Sequence, residues 1–316
     1  MKLNHKTTIN TSARHGFSLI ELMIVIAIIG ILMAIILPAL SGVNRRAAVV
    51  EQSAEFSKID TAISQFASDM GVEPWSEIIL TENGSSASWD PTSATKIRRI
   101  WPTFNFTQDI DFNGDLLVTG DAGGGGTITL TGSECLLFFL AGVLDRDSDG
   151  NGSISPAELD RSAPVTHLGF SKNPINPFSK TGANRQGPWF TFDVGRMKDV
   201  DAVFDGMPEY FATLGDASVP IHFASANNGQ GYYSWTTIYV QSDGRTAWNK
   251  DSHQLIAAGS DNELGFVPDP YLYPIAPTAP LPPLPRLQYA NTDSVNGRSK
   301  EADNVTNFKQ GSTLGD

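Results

Sequence analysis

From Phe17 to Leu40 the chain reads FSLIELMIVIAIIGILMAIILPAL, a run broken only by one acid, Glu21, near its start and one proline, Pro38, near its end. At about 1.5 Å per residue such a run covers roughly 30 Å of hydrocarbon, so residues 17–40 are expected to form a membrane-crossing helix. Further on the apolar positions thin to a stripe. Val49, Phe56, Ile59, Ile63, Phe66 and Met70 recur at spacings of three, four or seven, which places them on one face of an α-helix. Gly71 and Pro74 end it. One helix over 17–71, roughly 80 Å long, is therefore expected, its first half in lipid or a fibre core and its second half burying a stripe against a globular body.

The pattern then changes. Residues 75–132 mix strand-like pieces with turn signals at Asn83-Gly84, Asn113-Gly114 and Gly123 to Gly126, and residues 127–130, 189–193, 219–223 and 232–241 read as strands. The glycine run is followed by no Gly-Lys-Ser/Thr, so it reads as a hairpin turn and not as a phosphate loop. Short strands after one long helix predict an α+β body of antiparallel sheets over residues 72–300. Residues 268–286 are dense in proline and are expected to wrap the surface in extended form. A polar tail, 301–316, is expected to be partly disordered.

Charge changes this picture. Residues 1–16 carry Lys2, Lys6 and Arg14 and no acid, whereas the remaining 300 residues carry 19 basic and 34 acidic side chains, a formal −15. A basic leader before an apolar helix is held in the cytoplasm, so the acidic body is exported. That charge argues against a nucleic-acid partner, whose phosphates need Lys and Arg. One cysteine, Cys135, permits no intramolecular disulfide. No small-x-small cleavage site follows Leu40, and Glu21 costs about 2.5–3.5 kcal/mol in an apolar helix unless it is partnered.

Gly16-Phe17-Ser18-Leu19-Ile20-Glu21, the basic leader and the apolar run with Pro38 together resemble the class III signal of type IV pilins and type II secretion pseudopilins. The resemblance implies a cut by a prepilin peptidase between Gly16 and Phe17 and methylation of the new amino terminus. It implies a long spine helix in which Pro38 is the kinking proline. It also implies that Glu21 meets the ammonium of a neighbouring pilin or pseudopilin subunit, compensating two charges in an apolar bundle. The precursor would sit in a bacterial inner membrane, and the working form would be a homo- or hetero-filament in the periplasm or outside the cell. A plain single-pass anchor with Glu21 near the headgroups is the alternative.

A second motif lies in the body. Asp147-Ser148-Asp149-Gly150-Asn151-Gly152-Ser153-Ile154-Ser155-Pro156-Ala157-Glu158 resembles the twelve-residue EF-hand loop at each defining position. Calcium takes about six to eight oxygens, and Asp147, Asp149, Asn151, the Ser153 carbonyl, Ser155 and Glu158 would supply them, with Gly152 at the sharp turn. Ser155, Pro156 and Glu158 also make a capping box, which explains the pattern without an ion. An apolar helix over 134–144 is expected to lead in, and a short one to lead out before Pro164. The segment Asp109 to Asp115 begins similarly but has Gly120 at the twelfth place, so a hairpin turn is expected there. Residues 254–265 resemble the calcium-carrying segment of major G-type pseudopilins, which makes Asp261 and Glu263 weaker candidate ligands.

No catalytic residue is expected. His167, His222 and His253 fall into no hydrolase or metal spacing, and no Gly-x-Ser-x-Gly or His-Glu-x-x-His occurs. Trp75, Trp101, Trp189, Trp235 and Trp248 fit core packing better than a carbohydrate site. A calcium-stabilised structural subunit is thus expected, with secretion preferred because an adhesive pilin usually needs a disulfide. The rivals are a membrane-anchored enzyme or calcium-dependent carbohydrate-binding protein on a pilin-like anchor, and a DNA-uptake or adhesive minor pilin.

Overall fold

The computed structural model describes residues 18–84, 88–118, 126–151, 153–160, 163–200, 205–215, 218–232, 238–240, 246–262, 264, 287–288 and 303–314. The proline-dense stretch 268–286, the leader, and most of the glycine run lie outside them. The chain divides into two compact units, residues 1–47 and 48–316.

Helix α1 runs Leu19–Met70. In the first unit its side chains from Leu19 to Ile36 are exposed, and this stretch is long and apolar enough to cross a membrane. In the second unit the stripe is buried: Val49, Phe56, Ile59, Ala62, Ile63 and Phe66 enter the core. Gly71, at φ +77°, closes the helix by donating its N–H to the Ala67 carbonyl at 2.9 Å, a conformation that favours glycine.

Strand β1 (Glu77–Thr81) pairs antiparallel with β2 (Thr127–Thr131), Glu77 opposite Thr131 and Thr81 opposite Thr127. They are not a local hairpin. Between them lies helix α2 (Pro91–Ile100), whose start is set by Pro91 at the first helical position and by Asp90, which accepts the Ser93 N–H at 2.7 Å. Helix α3 (Gly132–Ala141) begins on a capping interaction, Thr131 N–H to Glu134 Oε2 at 2.8 Å, and buries every side chain from Ser133 to Ala141. It ends three residues before the expected 144. At Gly142 (φ +88°) the backbone passes so close to Gly169 that a Cβ would lie 2.4 Å from the Gly169 Cα, so no other residue fits.

Three antiparallel two-residue ladders follow among the described residues. Strand β3 (Leu144–Asp145) pairs with β4 (Thr166–His167), β5 (Phe170–Ser171) with β6 (Arg185–Gln186), and β7 (Met197–Lys198) with β8 (Glu209–Tyr210), all antiparallel. Strand β9 (His222–Ser225) belongs to a four-stranded antiparallel sheet, whereas β10 (Tyr239–Val240) pairs in parallel with β12 (Leu287–Gln288). The larger sheet has the order β14-β13-β11-β9, with β11 at His253–Ala257, β13 at Val305–Thr306 and β14 at Lys309–Thr313. The architecture is α+β.

Three expectations are corrected. Residues 189–193 form no strand, because the Trp189 and Phe190 amides both donate to the Leu140 carbonyl at the end of α3 and are not offered to a ladder. Within the polar tail, residues 303–314 are ordered into β13 and β14, with Asn304, Val305 and Thr306 buried. The Asn113-Gly114 turn joins no two strands; the Asp111 carboxylate gathers the amides of Gly114, Asp115 and Leu116 instead. Strand 219–223 is observed shifted to His222–Ser225; of 232–241, Tyr239–Val240 is strand, and 233–237 and 241 lie outside the described residues.

Candidate functional site

In the stem, Gly16 and Phe17 lie outside the described residues. Glu21 falls in the first turn of α1, where its Oε2 accepts the Ser18 N–H at 2.8 Å. Pro38 lies within α1.

In the body, α3 and β3 deliver the acidic loop. Its carboxylates organise the backbone that follows them. Asp147 Oδ1 and Asp149 Oδ1 both accept the Asn151 N–H at 3.0 Å, and Asn151 Oδ1 accepts the Ser153 N–H at 2.8 Å. Gly150, at φ +69°, makes the turn inside the described part of the loop; Gly152 lies outside it. Glu158 returns to the start. Its Oε1 accepts the Ser148 N–H and Oγ–H at 2.8 and 2.9 Å, and its Oε2 accepts those of Ser155 at 2.9 Å each. These four donors, led by the Ser155 amide, hold the Glu158 carboxyl down at about 2.

Asp147, Asp149 and Glu158 each bring a carboxylate oxygen within 4.8 Å of the others. Oxygens that share one calcium at about 2.3–2.6 Å are spaced in this way, so the donor set fits a hard cation. Ser155 makes half of the capping box expected of it, its N–H going to Glu158 Oε2. The expected outgoing helix is one turn only, closed by Glu158 N–H to Ser155 O at 3.0 Å. Asn151, Ser153 and Ser155 are exposed.

Of the weaker candidates, Asp261 is exposed and Glu263 lies outside the described residues. Asp303 also reaches that loop, its Oδ2 accepting the Ser260 N–H and Oγ–H at 2.7 and 2.9 Å. Sequence reasoning missed it, and also missed Arg146. Arg146 is 2% exposed and donates to three carbonyls, Asn113, Glu158 and Gly206. The visible signal was one basic residue among acids, Leu144-Asp145-Arg146-Asp147.

An open cavity of about 550 Å³ borders α1 and β11 in the body. Within it Ser252 Oγ lies 2.8 Å from His253 Nδ1, and His253 Nε2 lies 2.8 Å from Asp60 Oδ1. This order resembles a hydrolytic relay. However, the Ser252 amide donates to the Asn249 carbonyl and so cannot stabilise an oxyanion, while Asn307 also donates to Asp60. The chain of bonds ties β11 and the 307 turn to α1. Trp75 and Trp101 are core residues, and Trp248 stacks on Phe308.

Residues 11–37 match the family model described as the prokaryotic N-terminal methylation motif. The amino-terminal segment is pilin-like. Among curated proteins, fimbrial protein EcpC of Eikenella corrodens is 51% identical over 59 residues, which is 19% of this chain and 39% of EcpC. The chain thus spans about two fifths of the length of the curated relative it matches. No solved structure matches the chain. The matched motif overlaps the apolar stretch Leu19–Ile36, which is long and apolar enough to cross a membrane.

Proposed function

We propose that this chain is a structural subunit of a type II secretion pseudopilus or a related type IV filament, working by assembly and not by catalysis. The observation that carries the proposal is the coincidence, within residues 11–37, of the methylation motif, an exposed apolar helix and one acid at Glu21. The precursor sits in the inner membrane with its basic leader in the cytoplasm and its acidic body in the periplasm. Cleavage after Gly16 removes three positive charges and frees an ammonium at Phe17, which meets the Glu21 carboxylate of the next subunit. Calcium held by Asp147, Asp149, Asn151, Ser153, Ser155 and Glu158 clamps the body; bound there, it supplies charge neutralisation. Asp261 and Glu263 belong to this reading only as secondary ligands. The cavity relay is read as a clamp between α1 and β11, in keeping with a non-enzymatic role.

Mass spectrometry of the filament-borne protein tests this directly. An N-methylated Phe17 at the mature end is the expected result; a terminus at Met1 or beyond Leu40 overturns the proposal.

A further inference from the structure

We propose that Arg146 is the positioning residue of the calcium loop, doing for it what an outgoing helix does in an ordinary helix-loop-helix site; this rests on the calcium reading of residues 147–158. A loop that wraps a cation must bring its last ligand back to its first. Here residue 146 precedes the first ligand and Glu158 is the last, and the outgoing segment makes one turn, too short to anchor anything by packing. The guanidinium closes the gap. Arg146 Nη1 donates to the Glu158 carbonyl at 3.1 Å, Nε to the Asn113 carbonyl at 2.7 Å, and Nη2 to the Gly206 carbonyl. The two further anchors are themselves fixed. Asn113 Nδ2 donates to the Asp205 carbonyl at 2.9 Å, and the Gly206 N–H donates to Asp199 Oδ2 at 2.9 Å.

Packing fixes the stem as well: a Cβ on Gly114, at φ +80°, would stand 3.1 Å from Arg146 Cγ. The first acidic loop, Asp109 to Asp115, also begins like a calcium loop but meets the protein's own cations. Its Asp111 is paired with Lys180 at 2.9 Å and it packs on Arg146.

Three diverging carbonyls need a planar fork, which lysine lacks. The test titrates calcium alone into the full chain in detergent, by calorimetry, for the unaltered protein and for Arg146→Lys, Lys180→Met and Asp147→Ala. Outer-shell groups of this kind hold about ten- to hundredfold in metal affinity, so Arg146→Lys is expected to bind calcium at least about tenfold more weakly. Lys180→Met, which loosens the first loop without touching Glu158, should stay within about twofold of the unaltered chain. Equal affinity in Arg146→Lys, or equal losses in both lysine-site and Arg146 variants, overturns the positioning role alone. Absence of calcium binding by the unaltered chain overturns the role and the calcium reading together, and Asp147→Ala binding normally does the same. If Arg146→Lys does not fold, Gly114→Ala, which presses a methyl on the guanidinium stem, replaces it with the same expected loss.

Discussion

Two carboxylates on one helix meet opposite fates. Glu55, on the body half of α1, is gripped by Arg196 at 2.7 and 2.8 Å, by the Tyr210 hydroxyl at 2.8 Å and by the Gln52 amide at 3.1 Å. Glu21, in the stem half, accepts the Ser18 amide within the methylation motif, amid exposed leucines and isoleucines. The first acid is compensated by its own chain, so its effect is read in folding. On the proposed filament reading the second sits where lipid or other stems replace water, and a local amide bond does not neutralise its charge. In the proposed filament its compensation comes from a neighbour, and its effect is then read in assembly.

Three substitutions probe that contrast. Glu21→Ala should abolish filaments outright, or reduce them at least about tenfold, while the body melts at an unchanged temperature; electron microscopy of sheared filaments and a thermal melt of the same preparation check both halves. Normal filaments from that variant would remove the neighbour's role. Arg196→Met should do the reverse. It leaves Glu55 charged and partly buried without its cation, at a cost of about 2–3 kcal/mol, less than a fully buried pair because 17% and 14% of the two side chains still meet water. For a body of this size that lowers the melting temperature by roughly 5–10 °C. Filament yield at low temperature should hold; a variant that melts normally but assembles poorly would mean that Arg196 also serves the fibre.

Which parts were legible in sequence follows from how each is held. Helix α1 was visible almost to the residue because both halves carry a continuous pattern, first all-apolar and then a stripe at helical spacing. The loop at 147–158 was legible because its carboxylates act on amides two to four residues away, or across the loop itself. The tail was misread because its buried residues are polar. Asn304 donates to the Tyr239 hydroxyl and accepts the Gly259 N–H, and Asn307 accepts the Leu255 N–H. Satisfied in this way, polar side chains enter a core that composition alone assigns to water. Residues 189–193 failed for the converse reason: the Trp189 and Phe192 rings pack with Phe66 and Tyr210, but the Trp189 and Phe190 amides are taken by α3. Arg146 acts through carbonyls on segments more than thirty residues before it and sixty after it, and no local pattern encodes such a contact.

The smallest effect sharpens the contrast most. Tyr210→Phe removes one of the four donors on Glu55 and keeps the ring that lies under the Arg196 guanidinium, 4.4 Å from its centroid. At neutral pH the loss should be about 1 kcal/mol, because Arg196 and Gln52 still hold the carboxylate. Alkali narrows the gap between the two proteins. Burial, and then the Glu55 charge, push the Tyr210 hydroxyl well above its ordinary 10.0. The folded state therefore keeps a proton that the unfolded chain gives up. The stability this contributes is fully present below pH 10 and declines as pH rises past it. Tyr210→Phe should erase that share of the alkaline decline, so the two stability curves converge above pH 10. If they stay parallel there, the hydroxyl does not feel Glu55, and the body carboxylate is held by Arg196 and Gln52 without it.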